Sequence, residues 1–183
     1  NSRLDSLQAA VLRIKLPLLD DWTNQRAQNA IRYTEMFNYC ELHEAITSPK
    51  IDTRGRHVWN QYVIRVADGK RDALREHLTA SGVGTEIYYP VPLHLQKCFD
   101  NFGWKMGDLP ITEYAAKETL ALPIFAELTP AEQATVVGRI AEFFGRSPVP
   151  EEFEGMDKGS DAIGQPQHVK RTGLIGRADD VRC

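Results

Sequence analysis

Cysteines and long apolar runs are scarce in this sequence of 183 residues, and each scarcity argues against a class of protein. The three cysteines, Cys40, Cys98 and Cys183, lie far apart and form no C-x-x-C pair. A zinc site or a disulfide framework is therefore not expected. We expect a reduced, cytoplasmic location instead. No apolar run approaches the roughly 20 residues of a membrane-spanning helix. The first residues also lack the pattern of a signal peptide.

A strong charge of one sign is lacking as well. The net charge is −3 and the sequence pI is about 6.0. The chain therefore has neither the basic surface of a nucleic-acid-binding protein nor that of a membrane-binding protein. We expect no nucleic-acid partner and no membrane partner.

Motifs that carry chemistry by themselves are missing too. The sequence contains no G-x-S-x-G, H-E-x-x-H, P-loop or G-x-G-x-x-G motif. Its five histidines lack the spacing of metal ligands, so no metal is expected. The chain also opens without Met, in a segment typical of the start of a helix, which favours a fragment of a longer protein.

What the sequence does contain first is apolar spacing typical of helices. One stripe consists of Leu4, Leu7, Val11, Ile14 and Leu18. It predicts a helix that Ser2 caps and that Pro17 ends near Leu16. A second helix is predicted from Asp20 to about Cys40. The side chains of this helix predicted to face solvent are Arg26, Gln28 and Arg32.

Further along the chain, alternation and turn residues predict a small mixed domain. Residues 57–66 alternate as a strand does, and the segment Thr129-Pro130-Ala131-Glu132 has the residue order of a helix start. The other predicted elements are a helix at 71–81, a strand at 85–89, a helix at 112–120 and an extended run at 121–124. Together they predict the α/β class, of the α+β kind, with helices packed on one side of a small antiparallel sheet. Residues 146–183 lose all periodicity and are predicted to be a disordered tail.

The segment at 88–96 is a candidate site. Pro90 and Pro92 remove two backbone donors and end the preceding strand, so a stiff loop presents His94 beyond it. Rigid loops after strands are common places for ligand contacts. The alternative is a proline turn with an incidental surface histidine.

Several segments, taken in order, resemble one protein family. They are Asn-Ser-Arg-Leu-Asp-Ser-Leu-Gln-Ala-Ala at 1–10, Arg26, His-Val-Trp-Asn-Gln-Tyr-Val-Ile at 57–64, Arg-Asp-Ala-Leu at 71–74, Gly-Val-Gly-Thr at 82–85, Tyr-Pro-Val-Pro-Leu-His-Leu-Gln at 89–96 and Leu-Pro-Ile-Phe at 122–125. The ordered set covers about residues 1–145. It resembles the C-terminal region of the DegT/DnrJ/StrS family of pyridoxal-phosphate-dependent nucleotide-sugar aminotransferases.

The resemblance implies a fold and a division into domains. The fold is that of type I pyridoxal-phosphate-dependent transferases, in which a large domain holds the cofactor and a small C-terminal domain covers it. Residues 1–18 would be a connecting helix at an interface, and residues 19–145 the small domain. The N-terminal large domain would be missing from this chain. The enzyme would be a homodimer whose active sites are built from both subunits.

Four residues match site positions of the family. Asn1 corresponds to an asparagine that reaches the cofactor phosphate of the partner subunit, a suitable acceptor for an amide donor. Arg3 belongs to the same motif and either contacts that phosphate or packs locally. Tyr89 and His94 match positions near the opening of the active site, so both are candidate substrate-binding residues.

The implied reaction transfers an amino group, with glutamate as the usual donor, to a keto-sugar nucleotide for polysaccharide or secondary-metabolite amino-sugar biosynthesis. Two alternatives stay open: a pyridoxal-phosphate-dependent sugar dehydratase of the same family, and a stand-alone interaction domain without catalysis. The chemistry needs a Schiff-base lysine, and no lysine of this sequence matches that position. We therefore expect no catalytic residue in this chain and no activity of the chain alone.

Overall fold

The computed structural model describes residues 3–52, 54–150 and 153. The helices and strands within these residues are α1 (Ser6–Lys15), α2 (Leu19–Tyr39), β1 (Ile46–Thr47), β2 (Tyr62–Val66), α3 (Arg71–Ala80), α4 (Pro110–Glu118), β3 (Thr119–Leu122) and α5 (Pro130–Phe143). Short 3₁₀ turns occupy Leu16–Leu18, Leu93–Leu95 and Lys97–Phe102. No helix in this described part combines the length and the apolar composition needed to cross a membrane.

α1 and α2 follow each other almost without interruption. The side chain of Asp5 caps α1 by accepting a hydrogen bond from the amide of Leu7 at 2.8 Å. The helix therefore begins after Asp5, whereas the predicted cap, Ser2, lies outside the described residues. Pro17 ends α1 as predicted and lies in the 3₁₀ turn that leads into α2. No residue of α1 is buried, whereas α2 buries six.

The strands form one antiparallel sheet in the order β1-β2-β3. In the central strand, Val66 pairs with Ile46 of β1 and Tyr62 pairs with Leu122 of β3. Alternate side chains of a strand point to opposite faces. Tyr62, Ile64 and Val66 therefore share one face, here called the inner face, and each is fully buried.

The inner face packs against α2, α3 and α5. The ring of Tyr33 on α2 lies 5.0 Å from that of Tyr62, and its hydroxyl donates to the carbonyl of Pro123 at 3.0 Å. Other fully buried members of this core, from α3, β3 and α5, are Leu74, Leu78, Leu120, Val137 and Ile140. This arrangement confirms the predicted fold class.

α5 begins as the sequence predicted. The hydroxyl of Thr129 accepts from the amide of Glu132 at 3.2 Å, and the carboxylate of Glu132 accepts from the amide of Thr129 at 2.8 Å. This reciprocal capping box pairs two amides that a helix start would otherwise leave unpaired. Val136 and Ile140 are buried, whereas Phe143 and Phe144, which the apolar spacing also predicts to face inward, are only half-buried.

α4 lies against the opposite face of the sheet, here called the outer face. The outer face carries Val63, Arg65, Thr119 and Ala121. The guanidinium of Arg65 pairs with Glu118 at the end of α4 at 2.9 Å, and it lies 5.1 Å from the ring centre of Tyr114. Three helices thus pack on the predicted side, and α4 adds a partial layer on the other.

The predicted strand at 57–66 begins only at Tyr62. Trp59 has a positive φ of 51°, and its amide donates to Nδ1 of His57 at 3.0 Å. The chain therefore turns at Trp59 instead of extending. That turn buries the indole, which is 4% exposed.

Two other segments differ from the prediction in opposite directions. The strand predicted at 85–89 is reduced to a single bridge between Glu86 and Ala121. Conversely, Ile46–Thr47 pairs as β1 inside a segment without strand signals. Strand pairing depends on partners distant in sequence, so the prediction from local composition was wrong for both segments.

Two arginines predicted to face solvent are instead bound within the fold. Arg26 donates from Nε to the carbonyl of Val58 at 2.9 Å. Arg32 donates to Oε1 of Gln133 on α5 at 2.7 Å, and its partial burial lowers the pKa of the guanidinium. The prediction was wrong for both side chains, which tie α2 to the segment before β2 and to α5.

Past α5, the chain continues along the core for a short distance. Val149 packs against the core, and the ring of Phe153 meets that of Tyr39 edge to face with centroids 5.7 Å apart. The rest of the predicted tail, residues 151–152 and 154–183, lies outside the described residues.

Candidate functional site

A pocket of about 310 Å³ opens on the outer face of the sheet, between the sheet and α4. The sheet contributes Val63, Thr119 and Ala121, together with Gln61 just before β2, and α4 contributes Thr112, Ala115 and Ala116. The segment between α3 and α4 contributes Glu86, Tyr88, Tyr89, Pro92 and Leu93. Apolar and aromatic walls with a few polar groups are typical of small-molecule sites. This outer-face pocket is therefore a candidate binding site.

Tyr89, one of the predicted substrate-binding residues, lines the outer-face pocket. It is 63% exposed, and Tyr88 beside it is 48% exposed. A tyrosine offers an apolar ring and a hydroxyl that donates and accepts hydrogen bonds. Both rings are accessible to a ligand that enters the pocket.

His94, the other predicted substrate-binding residue, is buried rather than presented on the surface. It is 8% exposed, and its Nε2 lies 3.0 Å from Oε1 of Glu113 on α4. It is not among the described residues that line the outer-face pocket, although its neighbours Pro92 and Leu93 are. The structure therefore rules out an incidental surface histidine and places the imidazole against Glu113 of α4.

Glu113 gathers several donors on one carboxylate oxygen. Its Oε1 accepts from the amide of Gly107 at 2.8 Å and from the amide of Leu109 at the long distance of 3.4 Å, besides meeting His94. Burial acts to raise the pKa of Glu113, but the bonds from Gly107 and His94 outweigh it and hold that pKa below its usual range. The carboxylate is therefore ionised at neutral pH and joins three segments of the chain.

Two buried polar atoms in the segment 85–94 are unpaired. Nδ1 of His94 and Oγ1 of Thr85 have no hydrogen-bond partner within the described ranges. Buried polar atoms are nearly always paired in folded proteins. Each of these two atoms is therefore a place where a further hydrogen-bond partner is expected.

Glu113 is the residue that the sequence analysis missed. It is 19 positions from His94, and an acidic residue at the start of a predicted helix is common for reasons of local charge alone. Nothing in the spacing connects the two. Only the packing of α4 beside the loop brings them together.

The roles predicted for Asn1 and Arg3 are not tested by the described residues. Asn1 lies outside the described residues. Arg3 is exposed ahead of α1 and is not among the described residues that line the outer-face pocket. Their predicted roles on a cofactor phosphate stay predictions.

The described residues do not form a pyridoxal phosphate site by themselves. The lysines among them are Lys15, Lys50, Lys70, Lys97, Lys105 and Lys117; all are exposed, and none lines the outer-face pocket. A Schiff-base lysine must project into an enclosed cofactor site. The described ranges also contain no cluster of His, Cys, Asp or Glu that would hold a metal ion.

Comparison with known proteins decides the family. A profile of the DegT/DnrJ/EryC1/StrS aminotransferase family matches residues 1–141. The chain belongs to this family. The resemblance found in the sequence is thereby confirmed, and with it the dependence of the family on pyridoxal phosphate. Among the solved neighbours, DesV carries a ketimine intermediate and NtdA from Bacillus subtilis carries the cofactor PMP.

Three relatives illustrate the match. The pleiotropic regulatory protein of Geobacillus stearothermophilus is 47% identical over 144 residues, 79% of this chain and 38% of its own length. The structure of Streptomyces venezuelae DesV is 35% identical with a TM-score of 0.72, covering 80% of this chain and 38% of that one. A family member from Brucella abortus is 37% identical with a TM-score of 0.70, covering 79% and 37%. The chain thus spans little more than a third of the proteins it matches.

Proposed function

We propose that this chain is the C-terminal part of a pyridoxal-phosphate-dependent aminotransferase that transfers an amino group, with glutamate as donor, to the keto group of a nucleotide-linked sugar. The observation that carries the proposal is the family match over residues 1–141. Relatives at 35–36% identity are named as transaminases of dTDP-linked 3-amino sugars and as a 3-aminotransferase of a UDP-linked dehydro-glucosamine. The product class is an amino sugar for polysaccharide or secondary-metabolite synthesis.

The proposal includes a division of labour along the chain. Residues 19–145 form the small domain, residues 1–18 connect it to a large N-terminal domain, and residues 146–183 follow the small domain in sequence. Support for the interface comes from α1, in which Leu7 and Ile14 are each 74% exposed. Contiguous exposed apolar surface marks an interaction site. The large domain, in the same subunit, is the proposed partner of that surface.

The site roles follow from this division. Asn1 donates to the cofactor phosphate of the partner subunit in a homodimer, and Arg3 lies beside it. Tyr89 and His94 contact the sugar nucleotide. The Schiff-base lysine belongs to the large domain, so the chain alone binds no cofactor covalently and does not turn over.

Activity of the longer protein that contains this chain tests the proposal. The purified protein is incubated with glutamate and the keto acceptor UDP-N-acetyl-3-dehydro-α-D-glucosamine. It is also assayed in reverse with dTDP-3-amino-3,4,6-trideoxy-α-D-glucose and 2-oxoglutarate. Sugar-dependent interconversion of glutamate and 2-oxoglutarate is expected with at least one compound. Absence of amino transfer with both would contradict the proposal.

A second candidate comes from a printed name. The 47% identical relative is called a pleiotropic regulatory protein, which favours an interaction domain without catalysis. Borohydride treatment of the longer protein with pyridoxal phosphate separates the two. The aminotransferase predicts a stoichiometric adduct on one lysine, and a non-catalytic interaction domain predicts none.

A further inference from the structure

The contact between His94 and Glu113 has a consequence for the chemistry of the imidazole. The side chain of His94 is 5% exposed, and its Nε2 lies 3.0 Å from a carboxylate oxygen of Glu113. Its other ring nitrogen, Nδ1, is buried without a hydrogen-bond partner in the described part of the chain. Nε2 is therefore occupied by Glu113, whereas Nδ1 has no hydrogen-bond partner among the described residues.

The identity of the partner fixes where the hydrogen resides. An ionised carboxylate accepts hydrogen bonds and has no hydrogen to donate, so Nε2 must carry the hydrogen of this contact. This holds whether the imidazole is neutral or protonated. In the neutral ring Nδ1 therefore carries no hydrogen and is an acceptor.

The position of Glu113 does not depend on His94 alone. Its Oε1 also accepts from the amide of Gly107 at 2.8 Å, and the residue lies on α4. The carboxylate is thus held by the backbone around it and in turn holds the imidazole. Such support orients a functional group before anything binds to it.

We propose that Glu113 is a positioning residue that keeps Nε2 of His94 protonated, so that Nδ1 accepts a hydrogen bond from a hydroxyl group of the sugar substrate. The substrate part rests on the proposed function. An unpaired buried acceptor is unfavourable, and a hydroxyl donor would remove that penalty. A nucleotide sugar supplies several hydroxyl groups.

The tautomer of His94 is measured directly by nitrogen NMR of the chain with ¹⁵N-labelled histidine. In the neutral ring, we expect hydrogen on Nε2 in the wild type and in Glu113→Gln, because the amide oxygen of glutamine still accepts. In Glu113→Ala the acceptor is lost, and the ring should become a mixture of both tautomers. Hydrogen on Nδ1 in the wild type, or an unchanged tautomer in Glu113→Ala, would overturn the role of Glu113.

A matched pair of substitutions tests the contact of Nδ1 in the longer protein that contains this chain. The amide of His94→Gln reaches the place of Nε2, whereas that of His94→Asn reaches the place of Nδ1. The probe is dTDP-3-amino-3,4,6-trideoxy-α-D-glucose with 2-oxoglutarate as acceptor.

We expect His94→Gln to keep the melting temperature near that of the wild type but to raise the sugar KM about 3- to 10-fold, the range expected for one lost hydrogen bond. His94→Asn should lower the melting temperature and raise the sugar KM less. Glu113→Ala should raise the sugar KM, whereas Glu113→Gln should keep the sugar KM close to that of the wild type. The KM for 2-oxoglutarate should stay constant in all four variants.

A purely structural role predicts a different pattern, in which melting temperatures fall while the sugar KM stays unchanged in all four variants. That result would overturn the Nδ1 contact. A wild-type protein without transaminase activity would contradict the proposed function and the sugar contact together. The NMR spectra would still decide whether Glu113 sets the tautomer.

Discussion

α1 and α2 are consecutive helices with opposite relations to the rest of the molecule. α1 is the more apolar in composition, yet none of its residues is buried. α2 is rich in polar residues, yet it buries six. The difference shows that burial follows the position of the sheet and not the apolar content of a helix. Because α1 is apolar and buries no residue in the described part of the chain, its surface is suited to a partner outside that part.

Polar contacts explain how α2 is held despite its composition. Nδ2 of Asn29 donates to the carbonyl of Phe125 at 2.8 Å, and Nε2 of Gln133 donates to the carbonyl of Asn29 at 2.8 Å. These bonds join residues about a hundred positions apart. They satisfy buried polar groups that would otherwise be costly, which allows a polar helix to lie against the core.

The largest expected effect lies on the buried side of this comparison. Leu74 of α3 is fully buried against the core shared with α2. Leu74→Ala should lower the free energy of unfolding by about 2–5 kcal/mol, because it loses apolar contacts and leaves a cavity. Urea unfolding followed by circular dichroism measures the loss. A change below about 1 kcal/mol would show that the core is loosely packed.

A smaller effect comes from removing helix caps at two places. Thr129→Ala breaks the capping box of α5 and should lower the free energy of unfolding by about 1 kcal/mol. Asp5→Ala removes the cap of α1, which has no buried residue, so global unfolding should hardly change. Hydrogen exchange of the α1 amides should nevertheless become faster. Equal losses from both variants would erase the distinction between the two helices.

The third prediction concerns how the contribution of Glu113, on the outer-face side of the sheet, to stability depends on pH. Because the folded-state pKa of Glu113 lies below the unfolded value of about 4.3, its ionised form stabilises the fold above that value. The contribution is lost as the pH falls through the folded-state pKa. The difference in unfolding free energy between wild type and Glu113→Gln should therefore be constant near neutral pH and shrink below about pH 4.

The apolar variant Leu74→Ala is the control for this pH series, since its stability difference has no titrating group behind it. Urea unfolding at a series of pH values gives both curves. A Glu113→Gln difference as independent of pH as that of Leu74→Ala would contradict a depressed pKa.

The smallest effect is expected on α1. Leu7 is 74% exposed, so Leu7→Ala should change the free energy of unfolding of this chain by less than about 0.5 kcal/mol. The same urea experiment checks it beside Leu74→Ala. In the longer protein, where α1 is proposed to meet the large domain, the loss should approach that of a buried leucine. No difference between the two settings would mean that α1 stays uncovered.

The sequence predicted the elements whose signals are local. The capping residues of α5, the proline that ends α1 and the alternation of Tyr62, Ile64 and Val66 are all present in the structure. The failures concern contacts between distant segments. The sequence could not predict the left-handed turn at Trp59, because that conformation is stabilised by burial of the indole and not by the residue type.

The candidate site divides in the same way. Proline spacing correctly marked the loop that carries His94, and the family resemblance drew attention to Tyr89 on the pocket wall. The burial of His94 and its partner Glu113 depend on where α4 packs. No pattern within either segment carries that information.

The antiparallel pairing of β2 with β3 also has a kinetic consequence. Arg65 on β2 meets Glu118, just before β3, across 53 positions of chain. Closing a loop of that length costs about 3–4 kcal/mol of chain entropy from its length alone. The helices between the two strands need no such closure, so they are expected to form earlier in refolding. The outer-face pocket, bounded by β2, β3 and α4, is therefore expected to be among the last features of the fold to assemble.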